Sequence, residues 1–325
     1  MLPDGHDPLT RQDAHALFGR ILDGEIPHEN LATLLITMAD RGETAEELAG
    51  AAQAMRDRML PVCATDGAID VCGTGGDGSH SLNVSTAVAI VVAACGVPVA
   101  KHGNRAASSL AGGADTLEAL GLDLARASDA AEDTLGQLGI AFLFAQKHHP
   151  ALAPLAPLRR SLGRRTIFNL LGPLANPANV KRQLIGIARP QYLERHSRAL
   201  ALLGAEAAMH VSGEEGLDEI SISGPTQIVT QGLAVPTGRI VPGDAGLPCH
   251  PAEDLRGGDA ATNAAALQRL LAGEHGAYRD TVLLNSAAAL LVSGKAEDWV
   301  DGTRLAAQAI DSGAAKALLD RWIAW

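Results

Sequence analysis

Apolar positions recur at helical spacing through the first part of the chain. Leu17, Phe18, Ile21 and Leu22 share one helix face, and Gly24 and Pro27 interrupt it. A second stripe, Leu31, Leu34, Leu35 and Met38, ends at Gly42. Thr44-Ala45-Glu46-Glu47 then has the form of a capping box opening a third helix. At Ala68 the pattern changes. Ala68–Cys72 reads as a short buried strand, a helix follows over about 84–95, and Val97–Ala100 is a second strand. Further strands are expected at Ile140–Phe144, Leu184–Ile187, Ala208–Val211 and Ile228–Thr230, with helices between most of them. Such alternation predicts an α/β domain with a mostly parallel central sheet. Pro150, Pro154, Pro157, Pro173 and Pro177 predict helical pieces with a crossing between domains. The tail from about 259 to 325 reads as helical. The expected division is a helical domain at 1–66, with part of about 150–180 packing on it, and an α/β domain at 67–325.

Composition refines this picture only slightly. At 325 residues and 47% hydrophobic content the chain can bury two cores. Its formal net charge of −11 argues against nucleic acid as a partner, since that binding rests on neutralising phosphates. A small anion remains admissible, because local N–H groups, a cation patch or a metal suffice. Cys63, Cys72, Cys95 and Cys249 form no CxxC pair and read as reduced structural thiols. The start of the chain does not resemble a signal peptide, and the apolar run Val84–Cys95 is too short to span a bilayer. A soluble, cytoplasmic protein without a membrane partner is therefore expected.

Four clusters could carry chemistry. Gly73-Thr-Gly-Gly-Asp-Gly78 follows a strand and satisfies G-x-G-x-x-G, but no acid lies between Gly78 and Ala114 to hold a ribose, and no Gly-Lys-Ser/Thr follows. What remains is a glycine loop running towards the polar helix start Asn83-Val84-Ser85-Thr86. That arrangement suits an anion at a helix N-terminus; the simpler alternative is a tight turn. Lys101-His102-Gly103-Asn104-Arg105, followed by Ser108 and Ser109, belongs at the same sheet edge. Adjacent Asp218 and Glu219 make sense near an anion when Mg²⁺ lies between, although exposed loop acids are the plainer reading. Arg159-Arg160 and Arg164-Arg165 could grip a carboxylate or simply lie on solvated helix faces. His148 and His149 point to zinc only weakly.

These segments together resemble the anthranilate phosphoribosyltransferase family. The matching stretches are Asp70–Gly78, Asn83–Ala87, Val99–Arg105, Ala114–Gly121, His148–Pro150, Arg165–Leu174, Asn176-Pro177 and Gly216–Glu219, in family order and spacing over the whole chain. The resemblance implies a small helical domain beside a larger α/β domain, a homodimer, and transfer of the phosphoribosyl group of phosphoribosyl pyrophosphate (PRPP) to anthranilate in tryptophan biosynthesis. It implies PRPP contacts at Gly73, Gly76, Asp77, Ser81, Asn83, Val84, Ser85, Thr86, Lys101, Gly103, Asn104, Arg105, Ser108, Ser109 and Gly113. It implies anthranilate contacts at Gly73, His102, Asn104, Arg159 and Pro173, and Mg²⁺, as two ions, on Ser85, Asp218 and Glu219. No acid–base residue is assigned. Where the family commonly has Lys-Ser-Gly-Ser, this chain has Leu110-Ala111-Gly112-Gly113, which removes a cation and two hydroxyls from the PRPP side. Pyrimidine nucleoside phosphorylases share the implied fold but carry a different glycine signature. A nucleic-acid-binding relative would show basic grooves and would lose Asn104 and Arg159.

Overall fold

The computed structural model describes residues 2–106 and 110–325. Three helices open the chain: α1 (Arg11–Leu22), α2 (His28–Arg41) and α3 (Ala45–Arg56). The capping box expected at α3 is present. Glu47 N donates to Thr44 Oγ1 at 3.2 Å and Thr44 N to Glu47 Oε2 at 2.9 Å. The other Glu47 oxygen receives Leu9 N and Arg41 Nη2, so this fully buried carboxylate has donors on both oxygens.

The remaining elements follow the expected alternation: β1 (Ile69–Gly73), α4 (Val84–Ala94), β2 (Val99–Gly103), α5 (Gly113–Ala119), α6 (Leu124–Asp129), α7 (Ala131–Leu138), β3 (Ile140–Phe144), α8 (Ala145–His148), α9 (Ala156–Leu162), β4 (Arg182–Gly186), α10 (Leu193–Leu202), β5 (Ala207–Gly213), β6 (Thr226–Gln231), β7 (Gly238–Ile240), α11 (Ala260–Leu271), α12 (Ala277–Ser293), α13 (Trp299–Asp311) and α14 (Ala314–Ile323). The proline-rich stretch is built from short 3₁₀ turns around α9, as its spacing predicts. One sheet runs in the order β3-β2-β1-β4-β5-β6-β7, parallel from β3 through β5 and antiparallel at β6 and β7. Strand β7 was not expected. It has three residues, two of them exposed, so it leaves no apolar run to read.

Strand alternation places two cores on opposite faces of the sheet. Val71, Leu184 and Met209 face one core, built with α4 and α12. Their neighbours Cys72, Ile185 and Ala208 face the other, which includes α1–α3 and apolar residues from Leu155 to Leu203. Cys72 is thus a small core residue, and burial raises its thiol pKa. Among the described residues no helix is long and apolar enough to cross a membrane.

The second core holds a buried histidine pair with a defined proton arrangement. His196 Nε2 lies 3.0 Å from Leu170 O, an oxygen that can only accept, so this nitrogen donates. His196 Nδ1 must then accept from His210 Nε2, 3.0 Å away. Burial lowers the pKa of His196 to about 4 and that of His210 well below its ordinary value, so neither carries charge at neutral pH. The unfolded chain titrates near 6.5 and takes up protons first as pH falls. Stability from the pair is therefore present above pH 6.5 and is lost towards pH 4, at about 1.4 kcal/mol per pH unit for each histidine. Buried carboxyls with raised pKa act in the opposite sense, so the measurement is a difference. Urea unfolding of a His196→Phe/His210→Leu variant is expected to show a flatter pH slope than wild type between pH 6 and 4.5. Equal slopes would contradict the neutral assignment.

Candidate active site

The clusters singled out in the sequence meet at the carboxyl ends of β1, β2 and β5. Strand β1 ends in the glycine loop. Gly75, Gly76 and Gly78 have φ of +66°, +68° and +79°, which only glycine adopts without strain. Gly73 is required for another reason: a Cβ there would stand 2.4 Å from Asp218 Oδ2. The loop is held from outside. Thr74 N donates to Gly186 O at 2.9 Å and Gly75 N to Asp218 Oδ2 at 2.6 Å. Arg165 donates to Gly75 O and Gly76 O at 2.7 and 2.9 Å. Not every loop N–H is thus available to an anion. Among the described residues those of Gly76, Asp77 and Gly78 have no partner.

At the start of α4, Ser85 N donates to Glu219 Oε1 at 3.2 Å. Ser85 Oγ receives Lys101 Nζ at 3.1 Å, and the same ammonium donates to Val71 O at 2.7 Å. Lys101 is only 4% exposed, so it lies under this end of α4 rather than on the loop above it. Asn83 does not cap the helix. Its Oδ1 receives Thr116 Oγ1 and Asn263 Nδ2, and its Nδ2 donates to Ala111 O, which ties α4 to α5 and α11. Its side chain is an internal strut. Val84 and Thr86 are buried in the same turn, and Ser81 pairs as an isolated bridge with Arg256. Gly113 packs on this turn: a Cβ would be 2.9 Å from Thr86 Oγ1. A Cβ on Gly103 would meet the Phe142 ring at 2.6 Å.

Asp218 and Glu219 come next to Asp77. Burial, with mutual repulsion among the three carboxyls, pushes the proton affinities of Asp218 and Glu219 above the usual carboxylate range. Lys101 and Arg165 offset this only in part. The cluster has more negative charge than its surroundings neutralise. Among the described residues no group of three or more His, Cys, Asp or Glu forms a metal cage.

On the other side of the glycine loop, the stretch from Arg159 to Pro173 packs on the second core through Ile167, Phe168, Leu170 and Leu171, so the crossing between domains expected from its prolines is not seen in its packing. Arg159 is half-buried, its Cζ 5.7 Å over the Phe168 ring, and it makes no ion pair among the described residues. Burial lowers its pKa, so it sits as an uncompensated cation. His102 Nδ1 donates to Gly172 O at 3.0 Å, and burial lowers the pKa of this ring to about 3, leaving it neutral. Its Nε2 has no partner among the described residues, and the His149 ring, also kept neutral by burial, lies 5.1 Å away. Pro173 is buried, with its carbonyl held by Gln183 Nε2 at 2.9 Å. Asn104 is exposed at the end of β2, its Oδ1 receiving Arg105 N at 2.8 Å. Arg105 is already matched by Asp115 and Glu118 on α5. Ser108 and Ser109 lie outside the described residues. Leu110 is 69% exposed.

Two further contributors carry roles that were not read from the sequence. One is Asp70, fully buried, which accepts His102 N at 3.0 Å and Asn176 Nδ2 at 2.8 Å and so fixes the end of β2. The other is Arg165. The sequence offered it with Arg164 as a grip for a carboxylate; instead it holds two loop carbonyls, while Arg164 salt-bridges Asp40.

Models of a glycosyl transferase family match both parts of the chain: its helical bundle domain at residues 2–59 and its a/b domain at 65–316. An anthranilate phosphoribosyltransferase from Novosphingobium aromaticivorans is 59% identical, with 100% of this chain and 98% of the relative covered. That of Sphingopyxis alaskensis is 56% identical over 99% of this chain and 98% of its own. Among solved structures, the Thermus thermophilus anthranilate phosphoribosyltransferase superposes with a TM-score of 0.93 at 40% identity, covering 98% and 96% of the two chains. The Saccharomyces cerevisiae enzyme in complex with PRPP and Mg gives 0.89 at 27%, covering 97% and 93%.

Proposed function

This chain belongs to the anthranilate phosphoribosyltransferase family, and from that premise we propose how its residues divide the work. The reaction transfers the 5-phosphoribosyl group of PRPP to the amine of anthranilate in tryptophan biosynthesis, giving N-(5-phosphoribosyl)anthranilate and pyrophosphate. The C1′–O bond to pyrophosphate breaks, the N–C1′ bond forms, and the amine proton leaves to solvent. An aromatic amine is neutral and nucleophilic, so no acid–base residue is assigned. The protein must bind the anion and position the amine.

PRPP is assigned to the glycine loop (Gly73, Gly76, Asp77), to Ser81 and the start of α4 (Asn83–Thr86), and to Lys101 through Ser109 with Gly113. The free N–H groups of Gly76 and Asp77 support this. For Asn83 the support lies in its backbone, since its side chain is held elsewhere. Mg²⁺ is assigned to Asp218, Glu219 and Ser85, as two ions. The residues fit it: hard carboxylate oxygens in excess of local positive charge, without a closed cage, suit an ion that keeps water and takes phosphate oxygens. When bound, Mg²⁺ supplies positive charge to the departing pyrophosphate. The remaining parts of the proposal are the division at residue 66, supported by the match of the bundle model to 2–59, a homodimer and a cytoplasmic location.

Anthranilate is assigned to Arg159, Asn104, His102, Pro173 and Gly73. The observation that carries the reading is Arg159, a half-buried guanidinium without a counter-ion, next to an aromatic ring. Such a group awaits a carboxylate on an aromatic ligand. Loss of anthranilate fluorescence that needs both PRPP and Mg²⁺ tests the reaction. In Arg159→Ala the KM for anthranilate is expected to rise about 10- to 100-fold, the loss of a charged hydrogen-bond partner, and that for PRPP little. Unchanged constants would remove the assignment.

A further inference from the structure

We propose that Arg165 is a positioning residue that aims the glycine loop at PRPP; this rests on the function proposed above. Its guanidinium forms a fork on two successive carbonyls, Gly75 O at 2.7 Å and Gly76 O at 2.9 Å. Both belong to residues of positive φ. In a planar trans peptide the C=O of one residue and the N–H of the next point in opposite directions. Turning the carbonyls of Gly75 and Gly76 towards Arg165 therefore turns the N–H groups of Gly76 and Asp77 away from it. These N–H groups have no partner among the described residues. A run of glycines does not hold such an orientation by itself, because each has more backbone freedom to lose than any other residue.

The fork does so from one side and Asp218, through Gly75 N, from the other. Arg165 also lies close to Asp77 and Asp218, so its charge partly offsets theirs where a pyrophosphate must enter. Two residues later the chain enters the second core at Ile167 and Phe168. Arg165 thereby joins the loop to the second core. A lysine could not replace it, since an ammonium lacks the planar pair of donors.

The test is steady-state kinetics on the full-length enzyme. In Arg165→Ala the KM for PRPP is expected to rise about 10- to 100-fold, corresponding to two lost charge-assisted hydrogen bonds. The KM for anthranilate, at saturating PRPP, should stay within about twofold. Millimolar guanidinium should restore part of the PRPP affinity in Arg165→Ala and do nothing for wild type, whereas sodium chloride at equal ionic strength should restore none. Arg165→Lys should recover less than guanidinium does. An unchanged PRPP KM would overturn the proposal. So would an equal rise in both constants, or failure of guanidinium to rescue a folded Arg165→Ala. If wild-type protein consumes no anthranilate with PRPP and Mg²⁺, the functional reading fails instead, and the wild-type control separates the two cases.

Discussion

Gly186→Ala is expected to remove nearly all activity and to lower the melting temperature. Gly186 ends β4, beside Gly73 at the end of β1. A Cβ on it would stand 1.6 Å from the carbonyl oxygen of Asp218 and 2.5 Å from its carbonyl carbon. Backbone cannot rotate aside as a side-chain tip can. The segment carrying Asp218 and Glu219 must move by more than about 1 Å, or β4 must leave its register, and overpacking of this kind costs about 1–3 kcal/mol or more. Displacing catalytic groups by about 1 Å lowers rates on the order of 100-fold. Thermal unfolding and the fluorescence assay, run side by side, check both halves. Wild-type activity in a folded Gly186→Ala would mean that the position of the two acids does not matter.

Asp218→Asn with Glu219→Gln should leave the fold intact and lower kcat/KM on the order of 1,000-fold, the scale for losing charge stabilisation of a leaving group. Both amides keep the size of the acids. Replacing the acids also removes the repulsion that raises their proton affinity, so thermal stability at neutral pH should hold or rise slightly. Excess Mg²⁺ should restore part of the rate, because the substrate's own phosphates still bind the ion. Wild-type kinetics, with the same Mg²⁺ dependence, would remove the metal role from both residues.

Much of the architecture was legible along the chain. Apolar stripes at helical spacing gave α1 and α2, Thr44 and Glu47 gave the start of α3, and short apolar runs gave the strands β1 to β6 to within a few residues. The meeting of the glycine loop and Lys101–Arg105 at one sheet edge also followed, because parallel strands joined by helices must present their carboxyl ends together, whereas Asp218 and Glu219, which read locally as exposed loop acids, are brought there by the tertiary structure. Local stereochemistry suffices for the rest: periodicity sets which face is buried, and glycine marks where φ turns positive.

The partners of the polar side chains were a different matter. Asn83 reads locally as a helix start facing a ligand, yet Thr116 and Asn263, 33 and 180 residues away, hold its side chain inside. Arg164 and Arg165 are neighbours of one type, and one pairs with Asp40 while the other holds the glycine loop. Arg105 has its acids on α5, whereas Arg159 has none among the described residues. The elements, their order and the sheet edge shared by the glycine loop and Lys101–Arg105 were readable along the chain, since these depend on near neighbours. Which charges are matched and which are left for a ligand came from the packing of distant segments. That depends on distances of a few ångströms between residues far apart in sequence, where Coulomb and hydrogen-bond energies change most steeply.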